Sequence, residues 1–185
     1  MGVDLAIKHS VYLSLGSNIN RHDNIKRCLL SLLENFGELS SSPVYESEPV
    51  GFQGACFYNL VVKIETLESL ERLSARLKEI EQAQGRVRGG KRFSSRTLDI
   101  DILLYDELCG LHAGIELPRP EVYYNAFVLL PLTDLAANQA DPKSGLPFAQ
   151  LWAEKAPAIL RQQKLWKVEF DWPERIQVVS GDTPS

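Results

Sequence analysis

The apolar residues of this chain change their spacing several times, and the order of these changes limits the folds that the chain can adopt. Four segments have the apolar pattern of β-strands, namely residues 10–16, 44–45, 57–65 and 97–105. Between them, residues 25–36 and 67–80 place apolar side chains at the spacing of amphipathic helices. The resulting order, strand–helix–strand–strand–helix–strand, is typical of a ferredoxin-like α+β domain.

The ends of the two helices can be predicted from a glycine and a threonine. We expect Gly37 to end the first helix and Thr66 to cap the second, with Leu67 as the first residue of its apolar stripe. After the last strand, the sequence predicts a short helix over residues 127–135 and a loop over residues 138–147.

The length of 185 residues suits one domain with a full hydrophobic core. We predict that this domain spans residues 1–160 and that residues 161–185 form a C-terminal extension, with residues 181–185 disordered. The C-terminal part of the chain contains three tryptophans, Trp152, Trp166 and Trp172. These aromatic residues indicate that the tail is more than a linker.

Charge and cysteine content argue against several classes of protein. The net charge of −4 argues against nucleic-acid binding by the protein surface as a whole. Cys28, Cys56 and Cys109 form no CxxC pair, so the sequence predicts reduced thiols rather than disulfides or a thiolate metal site. The N-terminus lacks a signal-peptide pattern, and no apolar run approaches the roughly 18 residues of a membrane span. We therefore expect a cytoplasmic protein with no membrane partner.

Two carboxylates in the last predicted strand carry the strongest chemical signal. Asp99 and Asp101 are one residue apart, so a strand places them on the same face, with Cα atoms roughly 6.5 Å apart. Mg²⁺ needs only a couple of carboxylates when a polyphosphate supplies further oxygens, and two ions in such sites lie roughly 3.5–4 Å apart. The flanking apolar residues Leu98, Ile100, Ile102 and Leu104 should point the opposite way, into the core.

A cationic segment directly precedes the two acids. Residues 86–96 hold five cations and no acid: Arg86, Arg88, Lys91, Arg92 and Arg96. Such side chains can bind phosphate oxygens, and the pair Gly89-Gly90 would let a loop close over a substrate. An acidic pair or a basic loop alone is more often a solvated surface, but their adjacency favours a phosphate and metal site.

Phe57 and Asn59 share one face of the third predicted strand. A planar aromatic ring beside a carboxamide suits a flat heterocycle, which would stack on the ring and pair with the amide. For these two residues alone, a half-buried strand face is at least as good an explanation.

Five motifs in a characteristic order resemble those of a known family. They are Tyr12-Leu-Ser-Leu-Gly-Ser-Asn18, residues 45–51, Phe57-Tyr-Asn59, Arg96-Thr-Leu-Asp-Ile-Asp-Ile-Leu-Leu-Tyr105 and Phe127-Val-Leu-Leu-Pro-Leu132. Over about residues 10–150, the chain resembles the 6-hydroxymethyl-7,8-dihydropterin pyrophosphokinases of folate biosynthesis. The stretch from Arg96 to Tyr105 is the most specific of these motifs.

The resemblance implies an ATP-dependent diphosphotransferase. Such an enzyme moves pyrophosphate from ATP to the hydroxymethyl group of the dihydropterin, with two Mg²⁺ ions, and releases AMP. The implied fold has α/β/α layers on an antiparallel sheet. The implied partners are small-molecule substrates only, ATP and the pterin, with no nucleic acid, and the protein is expected to be a monomer.

The resemblance also implies roles for individual residues. Catalysis is implied for Arg86, Arg96, Asp99 and Asp101, and metal binding for Asp99 and Asp101. ATP binding is implied for Glu81, Arg86, Arg88, Arg92, Arg96, Ile102 and Arg119. Pterin binding is implied for Gly16, Ser47, Val50, Phe57, Asn59, Phe93 and Phe127.

The chain departs from the family pattern at several positions. Phe93 replaces a tryptophan, Ser95 a proline and Arg119 a histidine, while Gly114 and Asn125 stand where arginines are expected. Losing one charge-assisted phosphate contact costs about 1.5–3 kcal/mol. One alternative is therefore a divergent paralogue that binds pterin and nucleotide with altered substrate or little transfer activity. Another is a nucleic-acid-binding module, because ferredoxin-like sheets also bind single-stranded RNA.

Overall fold

The computed structural model describes residues 6–85 and 98–181. The first part of the chain contains β1 (His9–Ser17), α1 (Arg21–Phe36), β2 (Leu39–Ser41), β3 (Val44–Ser47), β4 (Phe57–Thr66), α2 (Leu70–Gly85) and β5 (Asp99–Tyr105). The second part contains β6 (Gly110–His112), β7 (Ile115–Leu117), a 3₁₀ helix (Pro120–Tyr123), α3 (Ala126–Ala136), α4 (Phe148–Ile159), β8 (Leu165–Val168) and β9 (Ile176–Val178). The predicted order of strands and helices is confirmed, with β3 as the predicted second strand and β2 as an additional short strand before it.

The sheet has the strand order β5-β1-β4, and both β2 and β3 pair with β4. All of these pairs are antiparallel, which confirms the expected ferredoxin-like sheet. The division between β2 and β3 falls at Ser42 and Pro43, where proline has no N–H for the ladder. The hydroxyl of Ser42 accepts a hydrogen bond from the N–H of Val61 at 3.0 Å, which keeps this edge attached to β4.

Helices cover both faces of the sheet, so the expected α/β/α layers are confirmed. On one face, α1 and α2 pack over a core that includes Leu13, Leu60 and Val62. On the other face, α3 and α4 pack over a second core that includes Val61 and Phe148. The central strand β4 is buried on both sides because each face has its own helical layer.

A β-bulge in β5 changes the expected direction of one side chain. Leu13 of β1 pairs with Ile102, but Tyr12 pairs with Leu104, so Leu103 is an extra residue in β5. The expectation that Leu104 points away from the two acids is wrong, because the bulge shifts the alternation and Leu104 packs in the α3 and α4 core. Leu98, Ile100 and Ile102 pack in the α1 and α2 core, as predicted.

The start of α2 also differs from the prediction. The helix begins at Leu70, and the carbonyl of Ser69 accepts its first-turn hydrogen bond from Leu73 at 2.9 Å. Thr66 ends β4 instead, and its hydroxyl accepts a hydrogen bond from the N–H of Glu68 in the connecting turn. Leu67 is therefore not part of the apolar stripe, and it is 58% exposed.

Gly37 ends α1 as expected, with φ of 81° and its N–H donating to the carbonyl of Leu33 at 2.9 Å. A positive φ of this kind is costly for residues with a Cβ, which explains the choice of glycine. The predicted helix over residues 127–135 is confirmed as α3.

The C-terminal part of the chain joins the same sheet. Strand β8 pairs antiparallel with β3, and β9 pairs parallel with β2, so the complete sheet is not wholly antiparallel. Trp152 is buried in the α3 and α4 core, whereas Trp172 packs edge-on against Phe170. The division at residue 160 stays a prediction, and residues 182–185 of the predicted disordered end lie outside the described residues. Over the described ranges, no helix is both long and apolar enough to cross a bilayer.

Candidate active site

A cavity of about 260 Å³ opens on the α3 side of the sheet. Its floor is the end of β1, β4 and β5, and its walls are the loop after β3 and the first turn of α3. Predicted site residues from distant parts of the chain line it together: Gly16, Ser47, Val50, Phe57, Asn59, Asp99, Asp101, Arg119 and Phe127.

A buried carboxamide forms one end of the cavity. Asn59 is only 5% exposed, and its Nδ2 donates a hydrogen bond to the hydroxyl of Ser47 at 2.7 Å. Gly16 lies opposite Asn59 in the β1–β4 pair, and a Cβ at Gly16 would stand 3.2 Å from Asn59 Oδ1. The absence of a side chain at position 16 therefore leaves room for the amide beside the cavity.

Aromatic rings line the cavity on two sides. Phe57 is half-buried on β4, and Phe127 is half-buried in the first turn of α3. Phe52 packs edge-on against Phe57, with ring centroids 6.2 Å apart and an interplanar angle of 87°. Flat apolar surfaces beside a carboxamide suit a planar, polar heterocycle.

The two acids of β5 lie at the opposite end of the cavity floor. Asp99 pairs with Gly16, and Asp101 pairs with Ser14, so small residues flank both carboxylates on the neighbouring strand. Both acids are partly exposed, and both line the cavity. The i, i+2 spacing therefore places two carboxylates on one open strand face, as the sequence predicts.

This donor set fits a Mg²⁺ ion that is shared with a polyphosphate. Among residues 6–85 and 98–181, no group of three or more His, Cys, Asp and Glu side chains forms a ready-made metal cage. Mg²⁺ usually binds one or two carboxylates together with substrate phosphates and water, so Asp99 and Asp101 supply what the protein needs to contribute.

Arg119 links the acid pair to a further carboxylate. Its Nη2 lies 3.4 Å from Asp101 Oδ1, and its Nε lies 3.2 Å from Glu121 Oε2. The backbone N–H of Arg119 donates to the carbonyl of Leu103 at 3.0 Å, which anchors the residue to the bulge in β5. The guanidinium thus lies between two carboxylates at the rim of the cavity.

A second cavity of about 240 Å³ lies between α2 and the edge of β5, and Asp101 and Arg119 line both cavities. Predicted residues Glu81 and Ile102 line the second cavity. Glu81 Oε1 accepts a hydrogen bond from the N–H of Ile100 at 2.6 Å. Burial raises the pKa of the Glu81 carboxyl, the Ile100 N–H opposes that change, and the negative charges of Asp99 and Asp101 add to it.

The two positions where arginine was expected have structural roles in this chain. Gly114 has φ of 75° and follows Ala113, with φ of 50°, in the tight turn between β6 and β7. Two consecutive positive φ values favour glycine there. Asn125 precedes α3, and its Oδ1 faces Gln163 Nε2 at 3.4 Å.

Five of the predicted site residues lie outside the described residues: Arg86, Arg88, Arg92, Phe93 and Arg96. Phe52 and Glu121 also line the first cavity, and neither was predicted from the sequence. An aromatic directly after Gly51 was a signal for Phe52, but nothing local distinguished Glu121 from a solvated surface acid.

The chain is similar to known proteins over most of its length. The family model for 7,8-dihydro-6-hydroxymethylpterin-pyrophosphokinase (HPPK) matches residues 12–137. A 2-amino-4-hydroxy-6-hydroxymethyldihydropteridine pyrophosphokinase of Haemophilus influenzae is 37% identical over 141 residues, which are 73% of this chain and 86% of that protein. The protein of the same name from Pseudomonas aeruginosa is 39% identical over 133 residues, which are 69% of this chain and 81% of that protein.

Solved structures show the same fold. The HPPK-DHPS wild type of Plasmodium falciparum, with pterin and p-hydroxybenzoate, matches 85% of this chain with a TM-score of 0.66 and 15% identity. This chain spans less than half of that longer one, 45% of its length. Because the family model covers more than half of the chain and the bacterial relatives match over most of their own length, this chain belongs to the HPPK family.

Proposed function

We propose that this protein transfers pyrophosphate from ATP to the hydroxymethyl group of 6-hydroxymethyl-7,8-dihydropterin, a step of folate biosynthesis, and releases AMP. One observation carries the proposal: two cavities, one lined with aromatic rings and a carboxamide, meet at Asp101 and Arg119. A transferase with two substrates needs two such pockets with charged groups at their junction. Small molecules are its only substrates, and the protein acts in the cytoplasm as a monomer.

The first cavity is the proposed pterin site. Phe57 and Phe127 stack on the bicyclic ring from the sheet and from α3, while Asn59 pairs with its polar edge. The hydrogen bond from Asn59 to Ser47 orients the carboxamide before the substrate arrives. Gly16 and Val50 complete the walls.

The second cavity is the proposed nucleotide site, with Glu81 and Ile102 beside the nucleotide. Arg119 lies between the two sites, where it can bind phosphate oxygens. The cations at positions 86, 88, 92 and 96 are proposed as further phosphate ligands, on the resemblance alone. In the free protein, Asp101 and Glu121 both lie within 3.4 Å of the Arg119 guanidinium, so the cation also offsets their charge.

Asp99 and Asp101 would hold two Mg²⁺ ions together with the triphosphate. Bound Mg²⁺ supplies positive charge to the phosphate oxygens. The protein contributes the orientation: the i, i+2 spacing sets the two carboxylates on one face, and buried Ile100 between them anchors the strand.

A second candidate is a relative that binds pterin and nucleotide with altered substrate or little transfer. Gly114 occupies a turn with positive φ, and Asn125 contacts Gln163, so neither position offers the phosphate-binding arginine that the family resemblance implies. The two candidates differ in turnover with hydroxymethyl-dihydropterin as acceptor.

The experiment is an assay of AMP release from ATP with hydroxymethyl-dihydropterin as acceptor. We expect AMP only when ATP, the dihydropterin and Mg²⁺ are all present, and a diphosphorylated pterin in equal amount. Omitting the pterin controls for ATP hydrolysis, and EDTA controls for the metal requirement.

Binding measurements separate the outcomes. Pterin binding without AMP release, even at high enzyme concentration, would favour the second candidate. The absence of both pterin binding and AMP release would contradict both.

A further inference from the structure

Gln163 connects the C-terminal part of the chain to the first turn of α3. It lies in the turn between α4 and β8, and its side chain is half-buried. Its Oε1 accepts a hydrogen bond from the N–H of Ala126 at 2.8 Å. Its Nε2 donates to the carbonyl of Tyr124 at 2.9 Å and faces Asn125 Oδ1 at 3.4 Å. One side-chain amide thus contacts three consecutive residues.

The orientation of this amide is determined by its partners. The N–H of Ala126 requires an acceptor and the carbonyl of Tyr124 requires a donor, so only one of the two amide orientations satisfies both. Within the described part of the chain, Asn125 makes no side-chain hydrogen bond to the helix that it precedes. The Oε1 of Gln163 instead satisfies the N–H of Ala126, which is one of the N-terminal amides that have no partner within the helix.

The residues held by Gln163 form one wall of the first cavity. Asn125, Phe127 and Val128 all line that cavity, and each lies within two residues of Ala126. Phe127 has one of the two rings proposed to stack on the pterin. The position of this ring depends on the first turn of α3, which Gln163 anchors.

The next two residues of the tail contact another wall of the cavity. The carbonyl of Lys164 accepts a hydrogen bond from the N–H of Glu48 at 3.1 Å, and Leu165 pairs with Ser47 in the β3–β8 ladder. Ser47 and Glu48 line the same cavity. Three consecutive residues, 163–165, therefore tie together the two walls between which a flat ring would enter.

We propose that Gln163 is a positioning residue for the pterin site. Its hydrogen bonds to the first turn of α3 fix the width of the first cavity. The inference rests on the proposed function, because it assigns the first cavity to the pterin. It predicts that loss of the amide weakens pterin binding and leaves ATP binding unchanged, since the described residues of the second cavity lie on α2, β5, β7 and at Arg119.

The test uses two variants of Gln163 and one neighbour. Gln163→Ala removes the amide and its volume, whereas Gln163→Leu keeps a similar volume and removes only the hydrogen bonds. Gln162→Ala is the matched control, because Gln162 is an exposed glutamine in the same turn. The measurements are pterin affinity by fluorescence titration with a non-hydrolysable ATP analogue and Mg²⁺, KM for both substrates, and the unfolding midpoint Tm.

We expect pterin Kd and pterin KM to rise about tenfold in both Gln163 variants, since two well-formed hydrogen bonds are lost. The KM for ATP should stay within about twofold, and Tm should change by less than about 4 °C. Gln162→Ala should match the wild type in every measurement.

Three results would overturn the inference. Wild-type pterin affinity in both Gln163 variants would show that the amide has no effect on the site, and full affinity in Gln163→Leu alone would show that volume suffices. An equal rise in both KM values with a large fall in Tm would indicate general destabilisation instead. A wild-type chain that binds no pterin would overturn the proposed function itself.

Discussion

The two faces of the central sheet are built from alternate residues of the same strands, yet one face is filled and the other is open. On the α1 and α2 face, Leu13, Leu15 and Leu60 are completely buried among apolar neighbours. On the α3 and α4 face, Ser14 and Asp101 lie in a cavity. Because side chains alternate along a strand, one segment can stabilise the core with one face and line a site with the other.

The packed region of the open face includes polar side chains. The hydroxyl of Tyr12 donates to Gln139 Oε1 at 2.9 Å, and the hydroxyl of Tyr45 donates to Asp134. Burial raises the pKa of Tyr12, so this hydroxyl keeps its proton. Each of these groups needs a partner because a buried polar group without one is costly. Substitutions on the two faces should therefore have different consequences.

The largest expected effect is on turnover, from a change on the open face. Asp101→Asn should lower kcat roughly 10²- to 10³-fold, because one of the two carboxylates proposed to hold Mg²⁺ on the triphosphate is lost. Tm should change little, because the substitution relieves the repulsion between Asp101 and Glu81 but also weakens the ion pair between Asp101 and Arg119. The measurements are AMP release and thermal unfolding. The control is Glu107→Gln, because Glu107 is an exposed acid just after β5. Full activity in Asp101→Asn would contradict the role proposed for Asp101.

Substitutions on the filled face should lower the stability of the protein instead. Leu60→Ala should lower the free energy of unfolding by about 3 kcal/mol, because Leu60 is completely buried and its removal leaves a cavity. Tm should fall by about 6–12 °C while KM for both substrates is unchanged. Leu30→Ala, at a position that is 45% exposed on α1, is the control and should have little effect. A selective change in KM without a fall in Tm would contradict the division between the faces.

A smaller effect, on the KM for the pterin, is expected at Gly16 of β1, which pairs with Asn59 of β4. Gly16→Ala would place a Cβ 3.2 Å from Asn59 Oδ1, so the carboxamide must shift by a few tenths of an ångström. We expect the KM for the pterin to rise about threefold to tenfold, with kcat nearly unchanged, because a displaced hydrogen-bonding group costs about 1 kcal/mol. Ser10→Ala, near the other end of β1, should leave the KM unchanged. An unaltered pterin KM in Gly16→Ala would show that Asn59 does not contact the ring.

The smallest perturbation is a thiol titration that leaves the fold intact. Cys28 is completely buried on the filled face, and burial raises the pKa of its thiol, so little thiolate is available. Cys109 is exposed and Cys56 is half-buried. An aromatic disulfide reagent should modify two thiols in the native protein and the third only in denaturant. Rapid reaction of all three would contradict a rigid α1 layer, and Cys109→Ser should remove the fastest phase.

Short-range patterns predicted most of the fold and much of the candidate site. The spacing of Asp99 and Asp101 placed both on one strand face, and Gly37 marked the end of α1, because each depends only on local backbone geometry. The motif resemblance gave many of the residues that line the first cavity, but not Phe52 or Glu121. The start of α2 was misplaced because Thr66 and Ser69 are both good caps, and the length of β4 decides between them.

Local sequence patterns set the order of strands and helices, the separation of the two sheet faces and the identity of the acid pair. Three features depend on the folded chain: the bulge at Leu103, the pairing of β8 and β9 with the sheet, and the contact between Gln163 and α3. The two groups differ in the range of the interactions that produce them. Periodicity and capping act within a few residues, whereas these features join segments about 40 to 140 residues apart, whose contacts exist only once the chain has folded.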